Sequence, residues 1–456
     1  MTRFDVIVIG GGIGGLSIAA LLSHKKPKSK ILLLEKNSSV GGRLFSYEKE
    51  GFKLDIGAHA FCRSDNGPIG DILRIIGRQD AVKFTYARPM TSYQGKVFAF
   101  PKGLQEMIAD RDFDRLLLMW REMMNLTPTQ VEELDNVTLC SFVHKFTDCI
   151  LVHACIDDMC NAAVCVPYFK ASAGEFIRCL QVQVRTRSIG YPTGGCGSIT
   201  EAIVSGIRES GCTIETGAQV DKIIIEGSVA KGVVANGRSY FADIVISNAD
   251  IKHTMLDMVG QDQLDVEYTR GIKALEYSNS ALVVRAALDK VLVDWKLMTH
   301  IGSDDPVGYH RDLEAGKIPN EISLFIPVPS NFAPDVAPRG KQLLVIATSV
   351  PFAFPDIDGL KRAMIDTAEG LIPHLRKHIL WTDVTTPAVI DRFAGENGAI
   401  VGIAQTTHQS GRNRPQINTP IKNLYLCGAE AGGWGIGVEL AIGSARSLAT
   451  LISQDP

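Results

Sequence analysis

Residues Phe4–Gly15 read FDVIVIGGGIGG, and this stretch decides the fold. Val6, Ile7, Val8 and Ile9 are an unbroken apolar, β-branched run, the composition of a strand buried on both faces in a parallel sheet. Gly10, Gly12 and Gly15 follow in the order G-x-G-x-x-G. The first glycine allows a tight turn, the second lets a pyrophosphate approach the backbone, and the third lets helix and strand pack closely. Leu16–Leu22, LSIAALL, supplies a helix whose N-terminus would face that phosphate.

Working outward, a basic turn (His24–Lys30) leads to a second apolar run, Ile31–Leu34, closed by Glu35 and Lys36. Glu35 lies about 20 residues beyond the last glycine, where an acid holds the adenosine ribose hydroxyls. Strand, glycine turn, helix, strand and acid occupy one βαβ length, which points to a bound dinucleotide. The alternative is a glycine-rich turn with no ligand.

A chain of 456 residues exceeds one compact core, so two or more domains are expected. Hydrophobic content of 45% and charged content of 21% are those of an ordinary globular protein. A net charge of −3 gives no footprint for nucleic acid. The first strand starts almost at the N-terminus, and no run is long and apolar enough to span a bilayer, so a cytoplasmic location is expected. The ten cysteines are then expected as reduced thiols. Five fall between Cys140 and Cys165, but none forms C-x-x-C, so the spacing predicts buried thiols and no metal.

Ser38–Phe45, SSVGGRLF, places Gly42 and Arg43 behind the ribose acid, where an arginine fork could reach the pyrophosphate. Gly51–Phe61, GFKLDIGAHAF, alternates as a strand and runs into the loop Gly57-Ala58-His59. Together VIVIGGGIGG, LLLEK and VGGRLFSYEKEGFKLDIGAHAF resemble the flavin-dependent amine oxidase and phytoene desaturase superfamily. The resemblance identifies the dinucleotide as FAD. It implies cofactor contacts at Gly14, Lys36, Gly42, Arg43, Gly57, Ala58 and His59, beside Gly10, Gly12, Gly15 and Glu35.

The resemblance recurs at Asn423–Ser447, NLYLCGAEAGGWGIGVELAIGSARS. It implies that Gly428 and Glu430 meet the ribityl chain. The helix after Gly437, starting at Val438, would turn its N–H groups toward the flavin's pyrimidine edge. Between these two matches, Cys212–Asn248 reads as a β-rich unit with an Asn236-Gly237 hairpin turn, and the resemblance gives Val220 a contact with the adenine end.

From Tyr86 to Arg187 the pattern turns helical. Asp110–Leu126 has an apolar face that could line a tunnel or rest on a membrane surface; packing on its own core is the plainer reading. Thr127-Pro128-Thr129 is a helix start. Gly190–Ser198, GYPTGGCGS, resembles the Y-P-x-G-G loop of phytoene desaturases and carotenoid isomerases; its plainer reading is a helix start capped by Ser198. After Asp250 come the strands Ala281–Ala287, Ile322–Val328 and Gln342–Val350, and a helix over Ile357–Leu371. His300, His310, His374 and His378 read as surface or cap histidines.

The expected fold is α/β: a discontinuous Rossmann-type FAD-binding domain (1–85, 190–250, 389–456) with an inserted α+β substrate domain (86–189, 251–388). The expected chemistry is hydride transfer between flavin N5 and a carbon of an apolar substrate, an isoprenoid or polyene. The other readings are a flavin amine oxidase and a non-catalytic FAD-binding protein. An amine oxidase needs an aromatic cage; Trp434 is the only aromatic in the C-terminal glycine turn, and the family's tyrosine in the following helix is absent. His59 and Trp434 are the candidates nearest the chemistry. Peripheral membrane contact stays open, as does oligomeric state.

Overall fold

The computed structural model describes residues 3–57 and 60–454, so Ala58 and His59 lie outside the described residues. The opening stretch forms the strand Arg3–Ile9 and the helix Ile13–Lys25, followed by the strand Ile31–Glu35. Val6–Ile9 pair in parallel with Ile31–Leu34 on one side and with Ile244–Ser247 on the other. Their side chains are buried because the sheet is covered on both faces.

The first sheet has seven strands. Its order runs Val220–Glu226, Val229–Ala235, Arg238–Ser247, Arg3–Ile9, Ile31–Glu35, Thr213–Thr216, with Leu424–Leu426 also pairing with Arg238–Ser247. The hairpin at Asn236-Gly237 forms as its sequence dictates, with both residues at positive φ (47° and 73°). The carboxyl ends of the parallel strands, at Ile9, Glu35, Ser247 and Leu426, share one edge. A ligand belongs at that edge in an open α/β sheet.

The second sheet also has seven strands, ordered Ile379–Thr385, Ser280–Leu288, Gln342–Val350, Leu324–Pro327, Leu297–His300, Met90–Tyr93, Lys96–Phe98. Strand alternation divides its faces. Leu282, Val284, Ala286 and Leu288 pack under the Ile357–Leu371 helix. Ala281, Val283, Val345 and Ala347 form a separate patch with Ile400 on the opposite face. Arg285, fully buried on that strand, donates to the carbonyls of Asp55 (2.6 Å) and Ile56 (2.9 Å) and to Thr385 Oγ1 (2.8 Å). It pins the backbone entering Gly57 to the second sheet.

The region after Phe98 is helical. Thr127 starts its helix with a reciprocal capping box to Gln130. In the helix Asp110–Asn125, Phe113, Leu116, Met119 and Met123 are buried in the helical core, and Trp120 packs edge-on against Phe100 at 5.4 Å. The plainer reading of that face is the one seen.

Two expectations are corrected. Ser198 does not cap the Gly197–Glu209 helix; Asp55 Oδ1 and Ser46 Oγ accept from Cys196 N and Gly197 N at 2.9 and 2.6 Å. The cap is supplied from 141 and 151 residues away, and Tyr191 of the same loop also donates to Asp55. His300 and His310 are buried, not superficial, and the Nε2 of each meets a carboxylate, Glu321 at 2.9 Å and Asp157 at 2.8 Å. No helix among the described residues is long and apolar enough to cross a membrane.

Candidate active site

One cavity of about 720 Å³ runs from the carboxyl edge of the first sheet to the small-residue face of the second. That volume lies within the usual range of a cofactor or small-molecule pocket. Its lining takes in Gly10, Gly12, Gly14, Glu35, Lys36, Gly42, Arg43, Gly57, Val220, Gly428, Glu430, Gly437 and Val438.

The glycines are set by close approach. Gly10 sits at φ +90°. A Cβ on Gly14 would come 2.2 Å from Asn248 Oδ1 and 3.1 Å from the Gly428 Cα. The strand-end residue Asn248 therefore fills the angle between the two glycine turns. Gly15 does not line the cavity. A Cβ there would stand 2.0 Å from the Gly10 carbonyl oxygen, so it serves the strand–helix packing behind the turn.

Glu35 is buried at the strand end. Its Oε2 accepts from the Gly11 N–H at 2.6 Å, and its Oε1 from Asn37 N and Nδ2 at 2.8 and 2.7 Å. Gly41 N donates to the Gly11 carbonyl at 2.8 Å, which lays the Gly41-Gly42-Arg43 turn against the first glycine loop.

Arg43 forms an ion pair with Glu396, and its Nε is buried without a partner. Glu430 Oε2 accepts from Ile251 N at 2.6 Å, while Oε1 is buried and unpartnered. Burial pushes the Glu430 carboxyl well above the usual carboxylate range, and Glu396 and Asp250 add to the rise. An unused donor and an unused acceptor in one cavity fit FAD: a phosphate oxygen for Arg43 and a ribityl hydroxyl for Glu430.

Trp434 is not part of this lining. It stands outside the cavity, 38% exposed, with the Arg63 guanidinium 5.1 Å from its ring centre. Arg63 is itself paired to Glu439, which holds the stack in place. The Asp110–Asn125 face is absent from the lining too. From the helical region after Phe98 the wall comes instead from Ile150–Val164, through Asp158, Asn161, Ala162 and Ala163.

Asp158 and Asn161 were not among the sequence candidates. Asp158 Oδ2 and Asn161 Oδ1 are buried and hydrogen-bonded to nothing among the described residues. Their i, i+3 spacing, which puts both on one face of the helix, was the available signal. Asn248, Glu396 and Asp250 were missed as well, and they have no local signature.

Burial pushes the Asp158 carboxyl up to about 7; the Thr299 hydroxyl opposes the rise and Asp157 adds to it. In the unfolded chain this group titrates near 3.8. Between those values the folded protein keeps a proton that the unfolded chain has lost, so stability falls as pH rises through the window. Asp158→Asn removes the penalty. At pH 8 the variant is expected to be more stable than wild type by about 1–3 kcal/mol, allowing for partial exposure, with the gap narrowing toward pH 5. Thermal melting at both pH values measures this; a gap that does not change with pH would refute the assignment.

A glycine-turn dinucleotide cradle joined to a second, sheet-roofed chamber defines an FAD-dependent oxidoreductase. The chain belongs to the flavin-containing amine oxidoreductase family, which it matches over residues 13–453. It is 24% identical to a 4,4'-diapolycopen-4-al dehydrogenase of Metabacillus indicus, over 99% of this chain and 97% of that one. It is 23% identical to a lycopene-forming phytoene desaturase of Pantoea ananas, over 98% and 99%. An oxidoreductase from Methanosarcina mazei shares the fold, with a TM-score of 0.78 at 22% identity, covering 98% of this chain and 100% of that one.

Proposed function

We propose that the protein oxidises, reduces or isomerises an isoprenoid or polyene, exchanging hydride between a substrate carbon and FAD. The observation that carries this reading is the second-sheet face over the cavity. Ala281, Val283, Phe325 and Ala347 make it apolar, and it is continuous with the dinucleotide cradle. Burying a hydrocarbon there contributes roughly 25 cal/mol per Å². The names of the two relatives, both acting on carotenoid-type compounds, support the same class.

FAD, when bound, supplies the hydride acceptor or donor. The residues of the chain hold and orient. Glu35 and Val220 would hold the adenosine end. Gly10, Gly12, Gly14 and Arg43 would hold the pyrophosphate. Gly428 and Glu430 would hold the ribityl chain, and Gly437 and Val438 would face the pyrimidine edge of the ring. Asp158 is the carboxyl placed to take or give a proton in the apolar chamber, since its value near neutrality matches that task. Residues 1–85, 190–250 and 389–456 form the FAD-binding domain, and 86–189 with 251–388 the substrate domain.

The amine reading is weaker. The aromatic side chains lining the cavity are Phe61, Phe325 and Phe393, and no tyrosine or tryptophan lines it among the described residues. A cationic amine would also have to lose its charge on entry. Anaerobic stopped-flow mixing of the oxidised protein with each class is the test. Isoprenoids or polyenes should change the flavin spectrum, or, if the protein works in the reductive direction, should reoxidise the reduced flavin. Rapid bleaching by simple primary amines, with no isoprenoid response in either redox state, would reverse the assignment.

A further inference from the structure

Outside the cavity, the fold gathers three metal-ligating side chains that the sequence spacing did not join. Cys140 and His144 lie four residues apart on one face of the Leu139–His144 helix. His153 comes from the next helix, Ile150–Val164. One ligand atom from each of the three lies within 4.8 Å of the others. We infer that Cys140, His144 and His153 form a binding site for a zinc-class divalent ion, with one coordination position left to water or to the Tyr168 hydroxyl.

The geometry supports this in detail. Cys140 Sγ and His144 Nδ1 are 3.4 Å apart. Two ligands on a tetrahedral zinc ion, at about 2.3 Å for sulfur and about 2.0 Å for nitrogen, stand roughly 3.5 Å apart. The His144 and His153 rings are adjacent, with centres 4.2 Å apart. His153 Nε2 donates to the Thr147 carbonyl at 2.9 Å, which fixes the tautomer and leaves the lone pair on Nδ1. A carbonyl on the second nitrogen is the usual support of a metal-bound histidine. The Tyr168 hydroxyl is 3.0 Å from that Nδ1, close enough to yield to the ion or to join its shell. His144 Nδ1 also lies 2.9 Å from the Cys140 carbonyl, a contact that metal binding would replace.

Access and rigidity fit as well. His144 is exposed, Cys140 half-buried and His153 buried, so an ion can enter from one side onto a fixed inner ligand. Cys140 is in no disulfide. Thr138 caps the helix through the Ser141 N–H, which holds both outer ligands on an ordered turn. One thiolate with two imidazoles selects zinc or cobalt over magnesium or calcium. The bound ion would cross-link the Leu139–His144 helix to the helix that carries Asp158 and Asn161 into the cavity wall.

The test uses the purified flavoprotein, its thiols kept reduced and its flavin oxidised, titrated with cobalt(II) and then with zinc(II). The expected result is one cobalt per chain with a thiolate-to-metal charge-transfer band, displaced by zinc, and a raised melting temperature with either ion. Cys140→Ser should abolish the band. His144→Ala should weaken binding at least about ten-fold. Both positions are at least partly exposed, and unchanged flavin absorbance shows that each variant folds. No charge-transfer band in the wild type, or full-strength binding in either variant, overturns the site.

Discussion

Alanine at Gly15 is expected to cost the protein its flavin and at least about 3 kcal/mol of stability. The added methyl would stand 2.0 Å from the Gly10 carbonyl oxygen, a backbone atom that cannot swing aside. To admit it, the Arg3–Ile9 strand and the Ile13–Lys25 helix must separate. The turn that is proposed to receive the phosphate at Gly12 and Gly14 would be displaced, and Asn248 would lose the gap it fills between Gly14 and Gly428. The measurement is flavin absorbance per chain after gel filtration, together with thermal melting. Gly271→Ala is the control: nothing lies within 4 Å of a Cβ there, and in a helix alanine should be neutral or stabilising. Normal flavin content and normal melting in Gly15→Ala would remove the steric argument.

Glu35→Ala is expected to weaken FAD binding by about 100-fold or more, and further than Glu430→Ala does. Glu35 offers both carboxylate oxygens at the end of its strand, where they now take N–H groups from Gly11 and Asn37. Two ribose hydroxyls on such a carboxylate are worth about 1.5–3 kcal/mol each. The substitution also leaves the Gly11 N–H without its partner. Glu430 has one unused oxygen, and its burial beside Glu396 and Asp250 favours the uncharged form, so it offers a single weaker bond. Titrating FAD into the apoproteins of wild type and both variants, followed by flavin fluorescence, ranks them. Equal affinity in wild type and Glu35→Ala would mean that the acid does not hold the ribose.

Much of the cofactor cradle was legible because its information is local. Four β-branched residues make a buried strand, glycines at fixed offsets make the turn, and the acid closes the second strand one βαβ length on. Each depends on neighbours within a few residues, and the parallel register of Val6–Ile9 with Ile31–Leu34 follows from them. The same holds for the Asn236-Gly237 hairpin and the Thr127 capping box. Family resemblance added the C-terminal turn, which no local rule connects to the first.

The tertiary structure decided what lies opposite the cradle. Trp434 sits in a glycine turn that permits many directions. The Arg63–Glu439 pair, contributed by two distant segments, draws its ring to the surface. Asp55 rather than Ser198 caps the Gly197–Glu209 helix, because a hairpin 141 residues earlier in the chain is packed against it. Asp158 reaches the cavity since its helix closes one side of the chamber, and the Asp110–Asn125 helix, with the stronger apolar stripe, is used up by its own core. Cys140, His144 and His153 meet only where two helices fold against each other. The sequence alone determined the strand–turn–helix–strand unit and its acid, since local periodicity, turn chemistry and propensity act over a few residues. Burial, desolvation and the choice of hydrogen-bond partner act between segments a hundred or more residues apart, so only the folded chain settled which polar groups line the cavity.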